Sequence, residues 1–286
     1  MSGLFRGQGG SGARPNRGFS GARLLVGLAV AGFALFNYLG QKSLNPTTGE
    51  TQYVAISPRQ EIALGLQSAP AMMQEYGGPS RDERASALVE AVGQKVVAHS
   101  DAARSGYEFH FVLLGDPKTI NAFALPGGPV FMTEGLLSGL TTEGEIAGVL
   151  GHEVGHVIAR HGAQHIAQQQ LSQGLTGALI LSTYDPNDRS STTTAQVALV
   201  VANLVGLRYG REDELEADRL GVRLMSQSGY DPRALLGVMK VLAASSKGGS
   251  PPEFFSTHPN PENRSERIQA AIQEQFPGGV PAGLTP

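Results

Sequence analysis

The chain begins polar and then turns abruptly apolar. Leu24 to Gly40 (LLVGLAVAGFALFNYLG) carries no charge over 17 residues, which suits a helix at the short end for crossing a bilayer. Residues 1–23 are rich in Gly, Ser and Arg, cannot bury enough apolar surface to order themselves, and are expected to form a disordered tail. Residues 41–57 read as a linker with a turn at Asn45-Pro46. Amphipathic segments follow. Ser57-Pro58-Arg59-Gln60 has the form of an N-cap, a Pro at N1 and a Gln at N3, so a helix is expected toward Glu75. Gly77-Gly78-Pro79 ends it, and Ser80 to Ser100 reads as a second helix. Tyr107 to Leu114 and Pro129 to Thr133 read as strands.

Thr142-Glu143-Gly144-Glu145 fits a capping box. Ile146, Val149, Leu150, Val154, Val157 and Ile158 follow at helical spacing, and the helix is expected to run past Ala163 toward Leu171. Two short apolar runs, 174–181 and 195–207, flank a polar stretch. They read as buried or cleft-lining helices joined by a flexible loop. Asp231-Pro232 opens a helix to about Ala244, residues 245–252 form a loop, and Asn260-Pro261 caps a last helix to about Phe276. The Gly/Pro-rich residues 277–286 are expected to be disordered. The sum is an α+β fold, mainly helical, with one small sheet and one peptidase-sized domain over 58–276.

The chemistry sits in the capped helix. His152-Glu153-Val154-Gly155-His156 is an HExxH run. At ~100° per residue the two imidazoles lie about 40° apart on one face, where they can hold one zinc ion with Glu153 turned toward its water. Zinc lowers the pKa of such a water to ~7, and Glu153 can take its proton. Residues 159 and 162 are Ala and Gly, so the Gly and third His of the metzincin pattern are missing. On a continuous helix His161 and His165 rotate roughly 140° and 180° away from His156, so they are expected on the solvated face.

The third ligand must come from elsewhere. Residues 211–218 read REDELEAD. Glu214 can be that ligand, and Asp218, one turn on, can accept a hydrogen bond from the outer nitrogen of a ligating His. Glu212, Asp213 and Glu216 compete for the role.

HExxH followed by R-x-x-E-x-x-A-D resembles the HtpX-like peptidases, which include the CAAX prenyl endopeptidases. Further segments agree: Asn121-Ala-Phe-Ala-Leu-Pro-Gly-Gly128, Val130-Phe-Met-Thr-Glu-Gly-Leu-Leu137, and Phe255-Ser-Thr-His-Pro259 with Arg264 beyond it. The resemblance spans roughly 58–275. It implies a gluzincin-like peptidase with one zinc on His152, His156 and Glu214, Glu153 as general base and acid, and Asp218 behind a ligand. It implies an edge strand over 121–130 at which a peptide adds through main-chain hydrogen bonds. Asn121, Ala122, Phe123, Gly127 and Gly128 are the substrate-binding candidates there. His258 is a candidate to approach the site, stabilising an oxyanion or covering the metal. Arg211 and Arg264 are expected to pair with local carboxylates.

Composition narrows the partners. The formal net charge is −3, which makes no case for nucleic acid. Cysteine is absent, so no disulfide scaffold or thiolate-bound metal is possible. Arg6, Arg14, Arg17 and Arg23 are the only charges before the apolar segment. A positive flank stays in the cytoplasm, so a membrane anchor over 24–40 would place the body in the periplasm or another extracytoplasmic space. Cleavage of that segment as a signal, giving a secreted protein, is the alternative. By analogy the expected substrates are unfolded or misassembled envelope proteins. The competing function is a chaperone or assembly factor that binds extended segments uncut over a structural zinc.

Overall fold

The computed structural model describes residues 21–183, 210–246, 251–260 and 263–286. The first element is the apolar helix α1 (Gly21–Gly40), three residues longer at its start than the uncharged run. Its Leu25, Phe33 and Phe36 are more than half exposed. At 1.5 Å per residue its 20 residues span about 30 Å. Residues 41–57 hold more structure than a linker. Strands β1 (Lys42–Leu44) and β2 (Thr51–Tyr53) form an antiparallel hairpin. At its turn Asn45 is buried and donates from Nδ2 to the Ile158 carbonyl at 2.7 Å. Asn45 therefore reaches the end of the HExxH helix, a long-range use that an Asn-Pro turn does not reveal locally.

Helices α2 (Pro58–Glu75) and α3 (Glu83–Ala98) follow, with the expected capping box at Ser57. Gly77 and Gly78 both take φ of 79°, the left-handed turn that glycine adopts without steric cost. Strands β3 (His110–Leu114), β4 (Ala122–Ala124) and β5 (Pro129–Thr133) form a sheet of order β3-β5-β4. β3 runs parallel to β5 and β4 antiparallel to it, so β4 is an edge strand. Short helix α4 (Glu134–Leu137) leads to α5 (Glu143–Ile158), the HExxH helix, whose capping box at Thr142 is present as expected. Every α5 residue from Gly144 to Ile158 except Glu145 is buried. The helix is apolar nearly all round because α3, the sheet and two later helices cover it, α7 (Arg211–Gln227) and α8 (Ala234–Ser245).

Small residues set how closely α7 approaches. A Cβ on Gly155 would lie 3.1 Å from the Ala217 carbonyl, and one on Gly221 would lie 3.3 Å from the His152 amide nitrogen. This close crossing presses the acidic start of α7 onto the two histidines of α5. Short α9 (Phe254–Thr257) and α10 (Arg264–Gln275) complete the described helices.

Further expectations need correction or restriction. The HExxH helix stops at Ile158, and α6 (His161–Thr183) starts after a sharp bend. Arg160 sits in the left-handed region with φ of 60°, a conformation costing a non-glycine residue about 1–2 kcal/mol. Partly buried bonds hold it there: Arg160 Nε donates to Glu61 at 2.9 Å and its guanidinium donates to the Ile56 carbonyl at 2.7 Å. The final segment docks rather than standing free. Thr285 bonds with Asp231 and Gly229, and the Pro286 carbonyl accepts from the Gly144 amide at 2.8 Å. The cap of α10 is Asn263, at φ of 64°, rather than Asn260. The apolar run 174–181 belongs to α6, which packs along α1 with Gly174 against Ala34, and its Leu175 and Leu179 are exposed. The run 195–207 lies outside the described residues, as do 1–20.

Candidate metal centre

His152, Glu153 and His156 are buried in the middle of α5, and Glu214 and Asp218 are buried on the first turns of α7. His152 Nε2 and His156 Nε2 lie 3.1 Å apart. Glu214 Oε2 is 3.4 Å from the former and Glu214 Oε1 is 3.4 Å from the latter. A tetrahedral ion with bonds of ~2.0–2.1 Å has ligand–ligand edges of about 3.3–3.4 Å, so this triangle is the size such an ion needs. The set is two imidazoles and a carboxylate without sulfur, a donor chemistry that divalent metals such as zinc take. Both Glu153 carboxylate oxygens are buried and, among the described residues, accept no hydrogen bond. Such a group is costly to bury unless something at the site uses it. The residues fit a metal.

His258 joins them. Its ligand atom falls with those of His152, His156 and Glu214 inside one group whose members all lie within 4.8 Å of one another. His258 Nδ1 is 3.0 Å from Glu214 Oε1, and Nε2 is 3.6 Å from Glu153 Oε1. Its ring stacks on Phe254 at 4.5 Å. Phe254 opens α9 and His258 caps its end over the site, so His258 stands where a fourth ligand or an incoming substrate would stand.

The electrostatics follow from burial against charge pairing. Burial alone would push the His152 imidazolium down, but hydrogen bonds to Asp218 and Glu214 prevail and raise its pKa to about 9. His156 moves the other way. Burial holds it well below the usual histidine range, and the neighbouring His152 and His161 rings add to that. Burial lifts Glu153 above the usual carboxylate range, against the opposing pull of His258 and His152. Burial would do the same to Glu214, but bonds from His152, His156 and His258 hold it well below.

Around these candidate ligands stand further polar groups. His152 Nδ1 faces Asp218 Oδ1 at 2.9 Å. Asp218 in turn accepts from Arg264 Nε at 2.8 Å and from the guanidinium nitrogen Nη2 at 2.9 Å. Arg264 is buried and also lies 3.3 Å from Glu214 Oε2, so its partners are 46 and 50 residues away rather than local. His161, expected on the solvated face, is fully buried beside His156, with the two Nδ1 atoms 2.8 Å apart. His165 meets Asp213 at 3.0 Å. The rotation estimate failed because the bend at Arg160 ends the helix between the two histidines. Arg160 itself is not a Gly or Asn, and it is held in place by the distant Glu61 and the Ile56 carbonyl. Asp213 and Glu216 face His165 and His161, which leaves Glu214 alone of the acidic run at the ligand position.

The edge strand lies beside the site, but its residues are used unevenly. Asn121 is buried, and its Nδ2 donates to Tyr76 Oη and Glu253 Oε1 at 3.3 Å each. It thereby ties the start of α9 to the sheet. Phe123 packs between Tyr76 and Phe131 at ring distances of 5.2 and 5.0 Å. Asn121 and Leu125 bond to β5, so the alternation of an antiparallel pair turns the main-chain groups of Ala122 and Ala124 to the open side. Ala122 has no exposure, and the neighbouring Ile120 carbonyl accepts from the Phe254 amide of α9 at 3.2 Å. Among the described residues, the edge strand's open side carries no main-chain partner from Ala124 onward. Gly127 and Gly128 form the turn into β5 with φ of 84° and 134°.

Residues 83–272 match peptidase family M48. The chain is 31% identical over 247 residues to the beta-barrel assembly-enhancing protease of Yersinia pestis, covering 84% of this chain and 50% of that protein. To the protein of the same name in Escherichia coli (strain K12) it is 32% identical over 187 residues, 62% of this chain and 36% of the relative. It is 29% identical over 254 residues to the mitochondrial metalloendopeptidase OMA1 of Schizosaccharomyces pombe, 87% of this chain and 72% of that one. The chain thus spans half or less of the length of the first two relatives. The match takes in the two histidines of α5, the acidic start of α7 and the arginine of α10, and the chain belongs to peptidase family M48.

Proposed function

We propose that this protein is a membrane-anchored zinc endopeptidase that cuts unfolded or misassembled proteins of the cell envelope. The observation that carries the reading is the buried triangle of His152, His156 and Glu214 with the unbonded carboxylate of Glu153 beside it. His152, His156 and Glu214 would hold the metal, and when bound it supplies Lewis-acid chemistry, acidifying a water and polarising a carbonyl. Glu153 takes a proton from the attacking water and returns it to the leaving amine. Its raised pKa suits both halves of that exchange. His258 can donate from Nε2 to a developing oxyanion. The open groups from Ala124 to the turn at Gly127 and Gly128 can pair with an extended peptide.

The substrate class follows the printed names of the relatives, two of which are beta-barrel assembly-enhancing proteases. The place rests on α1, 20 residues long with a largely exposed surface, and on the arginines that precede it. Placement beside the HtpX-like peptidases within the family rests on the REDELEAD and His-Pro segments. The described geometry is a covered form, because α9 holds His258 over the site and also closes the start of β4. A productive complex requires α9 to move aside.

That same cover favours a second reading in one respect. Four protein groups around one point is what a structural zinc has, whereas a catalytic zinc keeps a position open. The chain would then bind extended clients without cutting. Full-length protein in detergent micelles, given unfolded and native casein, separates the two. The peptidase reading expects cleavage of the unfolded form, lost with 1,10-phenanthroline and restored by zinc. Stable binding of casein with no new termini by mass spectrometry would favour the chaperone.

A further inference from the structure

We propose that His161 is a positioning residue for the metal centre, holding His156 in the one tautomer that can bind a metal through Nε2. The proposal rests on the reading of His156 as a ligand, and its geometry comes from the bend after α5. His156 Nδ1 and His161 Nδ1 face each other at 2.8 Å, both rings buried. A neutral imidazole has one N–H and one bare nitrogen. Two bare nitrogens at this distance repel and two N–H groups collide, so one proton lies between the rings. It belongs either to His156 or to His161.

The far side of His161 decides between them. His161 Nε2 lies 3.3 Å from Glu216 Oε2, with Asp213 Oδ1 at 3.9 Å. A carboxylate oxygen only accepts, so a neutral His161 carries its proton on Nε2 and leaves Nδ1 bare. His156 must then donate from Nδ1, and its Nε2 is bare and points at His152 Nε2 and Glu214. The opposite arrangement would protonate His156 Nε2 and remove it as a ligand. A donor on the outer nitrogen fixes the tautomer and ring angle of a ligating histidine. The usual acceptor is a carboxylate or a backbone carbonyl, and here it is a second imidazole with a carboxylate behind it.

The fold goes to some trouble to make this contact. Without the left-handed Arg160 the helix would carry His161 away from His156, and Arg160 is held by Glu61 and Ile56. On the next residue, a Cβ on Gly162 would lie 2.9 Å from Pro126 Cγ, so α6 starts tight against the turn that follows β4.

The test uses the full-length chain in detergent, with imidazole nitrogens labelled with ¹⁵N. Long-range ¹H–¹⁵N correlation on metal-free protein should show His156 protonated at Nδ1 and His161 at Nε2. Zinc affinity, from competition with a chromophoric chelator, should weaken about 10–100-fold in His161→Phe, the usual range for such outer partners. The absorption bands of the cobalt-loaded protein should shift with it. His161→Asn, whose Oδ1 occupies nearly the place of Nδ1, should recover most of the affinity. A His156 protonated at Nε2, or a His161 protonated at both nitrogens, would overturn the proposal. So would a folded His161→Phe with wild-type zinc affinity and cobalt spectrum. Should His161→Phe not fold, Glu216→Gln at the partly exposed end of the chain gives the second measurement. It should weaken zinc binding and move the His161 Nε2 resonance, and an unchanged resonance contradicts the assignment. If wild-type protein takes up no metal, the ligand reading of His156 fails, while the tautomer measurement still decides the contact itself.

Discussion

The two histidines of the HExxH helix are equally buried and are held in opposite ways. On the His152 side the outer nitrogen meets a carboxylate directly, and two bonds from the buried Arg264 clamp that carboxylate. On the His156 side the outer nitrogen meets the His161 ring, and the carboxylate stands one step farther out, on a Glu216 side chain 21% exposed. The opposite pKa shifts of two residues four apart follow from this. Burial depresses both, but only His152 has two carboxylates bonded to it, and it ends at about 9 while His156 falls well below the usual range. One helix therefore offers a direct, buried carboxylate support to one histidine and a partly solvated imidazole relay to the other. If both histidines were braced by buried carboxylates, Glu214 would make three negative charges within a few ångströms, with Arg264 as the compensating cation. The imidazole relay spares the core one buried charge.

Glu153→Gln should have the largest effect and leave the contrast untouched. It removes the base that both faces serve, so kcat/KM should fall about 10²–10⁴-fold while metal content stays at the wild-type level. Arg264→Leu breaks the rigid face. It leaves Asp218 and Glu214 buried without their cation, which should cost about 3–5 kcal/mol in urea unfolding. Glu216→Gln beside His161 should cost less, on the order of 1 kcal/mol by the same measurement, because its carboxylate is partly exposed to water. Equal losses would show that the two faces do not differ as described. Asp218→Asn keeps the shape of the rigid face and removes its charge, and zinc affinity should drop about 10–100-fold.

The smallest effect is a pH dependence of metal-free stability. The folded pKa of His152 is raised to about 9, above an unfolded value of ~6.5. Its contribution is therefore complete below about pH 6.5 and lost as pH rises through 9. Zinc needs the ring unprotonated, so zinc-loaded protein should gain stability across the same range. Thermal melts of both forms between pH 6 and 10 check the sign, and Asp218→Asn should flatten the metal-free slope.

Much of this site is readable along the chain because helical spacing is local information. His152, Glu153 and His156 need only the 3.6-residue repeat, and the capping boxes at Ser57 and Thr142 need only four residues each. Glu214 and Asp218 come from the same rule applied to α7. What spacing cannot give is a bend enforced from a distance. Spacing expects His161 in solvent, but Arg160, not itself a residue type that favours the left-handed region, is held there by Glu61 99 positions earlier. Arg264 and Asn45 were missed for the same reason: each acts on a partner more than 40 residues away. The hairpin at 42–53 and the docked segment at 285–286 are polar or Gly/Pro-rich in sequence. Their order comes from a few hydrogen bonds to the rest of the fold, not from an apolar face.

The most direct test measures metal content and unfolded-casein cleavage together, on full-length wild type and Glu153→Gln in detergent. The account predicts one zinc per chain in both proteins and cleavage in wild type alone. Cleavage surviving in Glu153→Gln, or protein of either kind that folds and takes up no metal, would contradict it.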